Sequence, residues 1–252
     1  MNKREIMCAY NQHERINITL PGFQKQASAD IVRLVSETAQ GSHIAYFNLH
    51  ANTANEAINN ELAYFKQLNQ SFEWKTYDTD SPSGIGERLL AHGFQQGEPE
   101  SFMVLDLDSI HTEFEEPDYI IEVSDLAGIK DAITVQEQVW GGDMSDRLIQ
   151  LFSAKKNAPE GISIYVIYDQ GAPVTSGWIV YNGTSPFAGV WGGSTLSAYR
   201  GKGYYSALLH KRINDAKKKG KRFLTIDASD MSRPIVEKYG FALIATTTPY
   251  FA

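Results

Sequence analysis

The sequence has 252 residues, is 42% hydrophobic and carries a formal net charge of −7, enough apolar material for one large core or two of ordinary size. No run approaches the roughly eighteen consecutive apolar residues of a membrane span, and the polar start Met1-Asn-Lys-Arg-Glu lacks the apolar stretch of a secretory leader, so a soluble cytoplasmic protein is expected. The single cysteine, Cys8, excludes an internal disulfide, and six histidines without ligand spacing argue against a metal site.

Residues 1–42 yield one expectation, a helix near Ser28–Ala39. Next come a strand at His43–Leu49, a helix at Asn55–Leu68, a strand at Phe72–Tyr77, a helix at Ile85–Ala91 and a strand at Phe102–Leu107. From Asp118 the pattern reads strand (Tyr119–Val123), two helices (Leu126–Val139 and Asp143–Ala154), and strands at Ser163–Tyr168, Val174–Tyr181 and Phe187–Leu196. A long helix Lys202–Lys219, a strand Phe223–Asp227, a short helix near Ser232–Tyr239 and a last strand from Phe241 complete it. Tyr205, Leu208, Leu209, Ile213 and Ala216 recur at three- and four-residue steps, which leaves Lys211, Arg212 and Lys217–Lys219 largely outward. Gly220 supplies the stop. The fold class is α/β with a mixed sheet and flanking helices.

The two halves share the order β-α-β-α-β. Phe72-Glu-Trp-Lys-Thr-Tyr-Asp78 parallels Arg222-Phe-Leu-Thr-Ile-Asp227, and Glu87-Arg-Leu-Leu-Ala-His-Gly93-Phe94 parallels Pro234-Ile-Val-Glu-Lys-Tyr-Gly240-Phe241. An internal repeat explains this, and coincidence between two α/β segments is the competing reading. If the repeat is real, its first copy has lost an anion site, because Asn48-Leu-His-Ala-Asn-Thr-Ala54 has no glycine where the second copy has two.

Charge divides with the halves. Residues 1–118 hold 8 Lys+Arg against 18 Asp+Glu, and residues 119–252 hold 15 against 12. Nine basic residues and one acid, Asp215, lie within Arg200–Arg222, which concentrates positive potential there. The acidic remainder, and the lack of a basic surface interleaved with aromatics, argue against a nucleic-acid partner.

Tyr199-Arg200-Gly201-Lys202-Gly203-Tyr204-Tyr205-Ser206 sits between a strand and an amphipathic helix. In that context several backbone N–H groups and the positive helix end point at one spot. Gly201 and Gly203 let backbone approach a pyrophosphate, and Arg200 and Lys202 add charge. An ordinary tight connection needs neither. A P-loop is excluded, since position 196 is Leu and position 203 is Gly. A dinucleotide fingerprint fits less well, with Ser206 in place of the third glycine and one crossover in place of repeated β-α-β units.

Thr195-Leu-Ser-Ala-Tyr199-Arg200-Gly201-Lys202-Gly203-Tyr204-Tyr205-Ser-Ala-Leu-Leu209 resembles the acetyl-CoA motif of the GNAT superfamily, and Ser232-Arg-Pro-Ile-Val-Glu-Lys-Tyr239-Gly240-Phe241 is similar to its second signature, a short helix ending in Gly-Phe. The resemblance covers residues 119–252 well and 43–107 weakly. It implies a GNAT acyl-CoA N-acyltransferase fold, with a catalytic domain at 119–252 preceded by a degenerate copy at 1–118 that lacks the cofactor motif. It further implies that Trp191–Leu196 pairs with pantetheine, with Thr195 and Leu196 at its end, and that Arg200, Gly201, Lys202, Gly203, Tyr204, Tyr205 and Ser206 hold the pyrophosphate. The thioester is expected where that strand splays from Phe223–Asp227, with Gly192 and Gly193 as a bulge and Trp191 lining the acceptor pocket.

Two positions depart from the family pattern. Tyr205 stands where the motif has Gly or Ala, so either the turn sits differently or the ring points into the core. Val236 stands where a tyrosine often reprotonates the leaving thiolate; Ser229, water or no acid at all replaces it. Asp227 is the candidate general base, with helix capping as its alternative role. The function implied is transfer of an acetyl group from acetyl-CoA to a primary amine of a small, cationic acceptor; the alternative is a non-catalytic acyl-CoA sensor.

Overall fold

The computed structural model describes residues 2–38 and 41–252. The chain forms two compact units. The first comprises Met1–Met103, Asp227–Pro234 and Ala242–Ala252; the second comprises Val104–Ile226 and Ile235–Phe241. The sequence division at residues 118–119 follows family motifs, whereas compactness returns the end of the chain to the first unit.

The first unit opens with α1 (Lys3–Tyr10), continued by a π-helical turn over Asn11–Ile16. Asn2 and Glu5 form a reciprocal capping box at its start, which satisfies two backbone N–H groups that the helix itself cannot. Strands β1 (Phe23–Ala27), β2 (Ile31–Ser36) and β3 (Ser42–Phe47) pair antiparallel in sequence. The helix expected near Ser28–Ala39 is therefore corrected to strand, its last residue, Ala39, lying outside the described residues. Ile31-Val-Arg-Leu-Val35 is buried on both faces. Such a run has no period, and its β-branched content, more than its spacing, carries the signal.

Helix α2 (Ala54–Gln67) crosses to β4 (Phe72–Tyr77), which is parallel to β3. Helix α3 (Ile85–Ala91), the two-residue β5 (Gln95–Gln96) and β6 (Glu100–Asp106) follow, and β6 runs on into the second unit. A core of Phe47, Phe65, Phe72, Trp74, Phe94 and their aliphatic neighbours holds α2 and α3 against this sheet.

In the second unit β7 (Ile120–Val123) is followed by α4 (Leu126–Trp140) and α5 (Ser145–Asn157). Strands β8 (Ile162–Asp169), β9 (Ala172–Tyr181) and β10 (Phe187–Thr195) form an antiparallel meander with β7. Helix α6 (Tyr204–Lys218) then crosses to β11 (Phe223–Ala228), which is parallel to β10. The last elements are α7 (Arg233–Glu237) and β12 (Ala242–Phe251). β12 pairs antiparallel with β4 and β5, inside the first unit.

Each unit thus holds one parallel pair with a helical crossover, and the two pairs match in extent. β3 and β4 are in register only over Ser42–Ile44 with Phe72–Trp74. β10 and β11 are in register only over Phe187–Gly189 with Phe223–Thr225. Beyond those three residues each pair splays.

Alternation along β9 sends side chains to opposite faces. Ser176 donates to the Ala132 carbonyl of α4, and Trp178 packs with Ile129 and Ile133 of α4, while Gly177 faces Leu208 and Arg212 of α6. Helices α4 and α6 therefore cover opposite faces of the meander. The segment before β7 runs along α6: Asn214 donates to the Phe114 carbonyl at 2.8 Å, and Glu116 pairs with Lys211 at 2.9 Å and Lys218 at 2.6 Å.

Hydrogen bonds from Lys218 and Lys211 hold the Glu116 carboxyl at about 2, below its ordinary 4.5. A depressed carboxylate stabilises the fold above its unfolded value and loses that contribution as pH falls toward the folded one. Urea unfolding should therefore show wild type more stable than Glu116→Gln at pH 6, with the gap closing between pH 4.5 and 2.

Candidate functional site

Between β10 and α6 lie a single 3-10 turn at Ser197–Tyr199 and the segment Arg200–Gly203. Gly201 and Gly203 have φ of +76° and +85°, and Gly203 is the N-cap of α6 without any side-chain cap. The first turn of a 15-residue helix therefore presents its N–H groups unscreened by a capping side chain. A Cβ built on either glycine meets nothing within 4 Å. Packing does not demand glycine here; the left-handed backbone does, and the space beside it is open, as close approach of a ligand requires.

Arg200 donates from Nε to the Thr195 carbonyl at 3.2 Å, tying the turn to the end of β10. The Lys202 ammonium is half exposed, 3.8 Å from Asp169 and 4.5 Å from the centre of the Tyr199 ring. Tyr204 donates to Asp169 at 3.4 Å, and Ser206 is half-buried. Thr195 is buried with its hydroxyl on Thr175, and the Leu196 N–H donates to the Val174 carbonyl.

The structure resolves the question of Tyr205. A Cβ on Gly193 would lie 2.9 Å from its ring, so the ring turns off the loop and lies over β10. The bulge expected at Gly192-Gly193 is present: the β9–β10 register shifts between Trp191 and Ser194, and Gly192 has φ +59°. The Trp178 ring fills the position of a Gly192 Cβ. Trp191 itself is 40% exposed.

The bulge is gripped from both faces. Gln136 of α4 donates to the Gly192 carbonyl at 2.5 Å and to Ser176 at 2.8 Å, while Ser194 donates back to Gln136 and accepts from Trp140. Arg212 of α6 reaches the Trp191 carbonyl at 3.5 Å. Arg212 is corrected from outward to fully buried, at 0% exposure. It stands four residues after Leu208 and three after Leu209, squarely on the apolar face, a spacing that marks it as inward. Gln136, Trp140 and Arg212 are the residues that sequence reasoning missed.

Asp227 and Ser229 belong to the first unit. The Asp227 side chain is 5% exposed; Oδ2 accepts from Lys75 of β4 at 2.5 Å, and Oδ1 is buried without a hydrogen-bond partner. Asp227 is thus held by an ammonium and caps no helix. Burial works against the Lys75 charge, but Asp227 outweighs it and pushes the ammonium well above its ordinary value. The Ser229 carbonyl accepts from the N–H groups of Ser232 and Arg233, and its hydroxyl lies 3.3 Å from that of Ser232. Val236 is fully buried.

The corresponding splay of the first unit is filled by its own chain. Arg15 donates from Nε to the Ala45 carbonyl of β3 at 2.8 Å, pairs with Asp80 at 2.6 and 2.8 Å, and lies 4.5 Å from the centre of the Tyr77 ring. Burial opposes the Arg15 charge and the Asp80 carboxylate more than offsets it. None of residues 48–53 has a positive φ, so the anion-binding backbone of the second unit is not repeated there.

Among the described residues no helix is long and apolar enough to cross a membrane. Residues 124–244 match the family model of an acetyltransferase (GNAT) domain. No curated protein matches the chain. Solved structures do. A GCN5-related N-acetyltransferase from Kribbella flavida is 14% identical, with 97% of this chain and 94% of that one covered at a TM-score of 0.71. A functionally unknown conserved protein from Staphylococcus epidermidis is 14% identical, with 94% and 96% covered at 0.66. A tandem GNAT protein from the clavulanic acid biosynthesis pathway is 13% identical, with 98% and 86% covered at 0.57.

Any Cβ at Gly192 of the bulge collides with the Trp178 ring, whereas one at Gly201 of the turn meets open space. Gly192→Ala should lower stability by about 2–4 kcal/mol through ring displacement and left-handed strain, whereas Gly201→Ala should cost about 1 kcal/mol; thermal unfolding of both variants reads the difference. Residues 124–244 thus match a GNAT acetyltransferase domain, and the chain shares the GNAT acyl-CoA N-acyltransferase fold.

Proposed function

We propose that this protein transfers an acetyl group from acetyl-CoA to a primary amine by direct attack, with residues 119–252 as the catalytic domain and residues 1–118 as a degenerate copy that binds no cofactor. The observation that carries the reading is the open, left-handed Gly201/Gly203 turn at the uncapped start of α6, following directly on a bulged strand that has lost its parallel partner. Arg200, Lys202 and the N–H groups of Gly203–Ser206 take the pyrophosphate. Strand β10, from Trp191 to Leu196, takes the pantetheine amides, and bulge N–H groups receive the thioester oxygen.

In the reaction the amine nitrogen bonds to the thioester carbon, the C–S bond breaks, and CoA leaves as thiolate. With Val236 buried in place of an acid, the thiolate leaves without a side-chain proton donor, as its low proton affinity allows. Asp227 accepts the amine proton through Oδ1, the oxygen that Lys75 does not hold. Ser229 holds the turn that follows Asp227. The acidic balance of residues 1–118 favours an acceptor with a cationic group elsewhere in the molecule.

A non-catalytic acyl-CoA sensor is the second reading, favoured by Val236 and by the Lys75 hold on Asp227. Calorimetry with acetyl-CoA, followed by thiol release over a panel of amines, separates the two. Thiol release with an amine establishes the enzyme; tight binding without release over the whole panel favours the sensor; absence of binding sinks both. Gly203→Asp should abolish acetyl-CoA binding with the fold intact, and retained affinity would refute the assigned turn. Asp227→Asn should leave acetyl-CoA affinity unchanged and lower kcat about 10-fold or more.

A further inference from the structure

Arg212 is a charged side chain in the wrong place for a structural residue. It is fully buried on the apolar face of α6, and its Nη2 has no hydrogen-bond partner among the described residues. Its recorded hydrogen bonds are to main-chain carbonyls, Leu208 at 3.2 Å and Trp191 at 3.5 Å. Carboxylates near α6 are engaged elsewhere: Asp215 accepts from Tyr165 and Lys211, and Glu116 from Lys211 and Lys218. An apolar residue of similar length would fill the space without the desolvation cost of an uncompensated guanidinium.

Room has been made for that guanidinium. Cβ atoms on Gly177 of β9 and Gly193 of β10 would lie 3.1 and 3.5 Å from its nitrogens. The Tyr205 ring, the family departure at the end of the turn, closes on the same Gly193. From the opposite face Gln136 holds the next carbonyl along, that of Gly192. Both peptides are trans, so fixing each carbonyl also fixes the N–H on its other side.

We propose that Arg212 is a positioning residue for acyl transfer: with Gln136 as its counterpart, it sets the peptides of the Trp191–Gly193 bulge and, through its buried positive charge, polarises them toward the thioester oxygen. Negative charge gathers on that oxygen as the amine attacks, and a fixed cation in a dry interior favours it more than any solvated one. This inference rests on the acetyl-CoA reading given above.

The test uses Arg212→Met, which keeps the length and removes the charge, and Arg212→Lys, which restores a charge. The first readout needs no acceptor: the infrared stretch of acetyl-CoA labelled at the thioester carbonyl carbon. In the wild type the bound carbonyl should absorb at lower frequency than free acetyl-CoA. Arg212→Met should return it toward the free value with acetyl-CoA affinity by calorimetry unchanged, and Arg212→Lys should recover part of the shift. With any amine that supports turnover, kcat should fall about 10-fold or more in Arg212→Met, with KM for acetyl-CoA unchanged. An unaltered carbonyl stretch in a folded Arg212→Met protein that still binds acetyl-CoA would overturn the proposal. So would parallel loss of thermal stability and acetyl-CoA affinity in both variants, the mark of a merely structural residue. A wild-type protein that binds no acetyl-CoA overturns the underlying reading itself, a result distinct from either.

Discussion

A parallel strand pair that parts after three residues leaves a row of backbone N–H and C=O groups on each strand with no partner on that side. Such groups are costly to bury alone, so the segment beyond the fork must be met by something. Both units of this chain contain the same fork, three registered residues long. In the first, the chain answers from within: the π-helical turn after α1 delivers Arg15, whose Nε meets the Ala45 carbonyl and whose charge is taken by Asp80. In the second, the equivalent edge of β10 ends in an open glycine turn at the start of α6. One fork is closed by its own chain, and the other leads into the open turn to which we assign the cofactor.

The closure and the opening are matched by changes at the following turn. Where the second unit has two left-handed glycines, the first has Asn48-Leu-His-Ala-Asn-Thr with no positive φ. A phosphate group needs convergent N–H donors, which right-handed backbone before a helix supplies less well. The absence of such glycines and the presence of Arg15 fit together on the proposed reading: an edge with no anion beside it is met by a side chain instead. The same logic explains the C-terminal strand. β12 completes the sheet of the first unit beside β4, so the end of the chain depends on that unit.

What could be read from the sequence was what local chemistry dictates. The apolar stripe of α6, the Gly201/Gly203 turn and the β-branched strand at Phe223–Asp227 each follow from short-range steric rules, and all appear within a few residues of where those rules put them. The bulge at Gly192-Gly193 was legible for the same reason, since adjacent glycines within a strand signal backbone that a side chain would obstruct. Three features were hidden. β1 and β2 carry no usable period because β2 is buried on both faces. α1 was announced only by the four-residue capping box Asn2-Lys-Arg-Glu5, which is short and polar. Arg212 was hidden by its own chemistry: a charge beside Lys211 reads as solvent-facing unless its phase on the helix is given priority over its type.

That last case bears on how the second unit separates binding from chemistry. The groups proposed to hold the donor are backbone atoms on a rigid turn and strand edge, and these need no particular side chain to work. Chemistry needs charge placed where charge develops, and the candidates for it are constrained here: Val236, at the position of the family's usual tyrosine, is aliphatic and buried, and Asp227 is engaged by Lys75. A buried guanidinium with no carboxylate partner lies under the bulge. Its burial is what makes it effective, because the same low dielectric that penalises an uncompensated cation strengthens its attraction for an oxygen gaining charge nearby. A chain selected only to bind an acyl-CoA would gain stability by replacing Arg212 with methionine or leucine. On the acyl-transfer reading, Arg212 is placed to stabilise a charge the resting molecule does not contain.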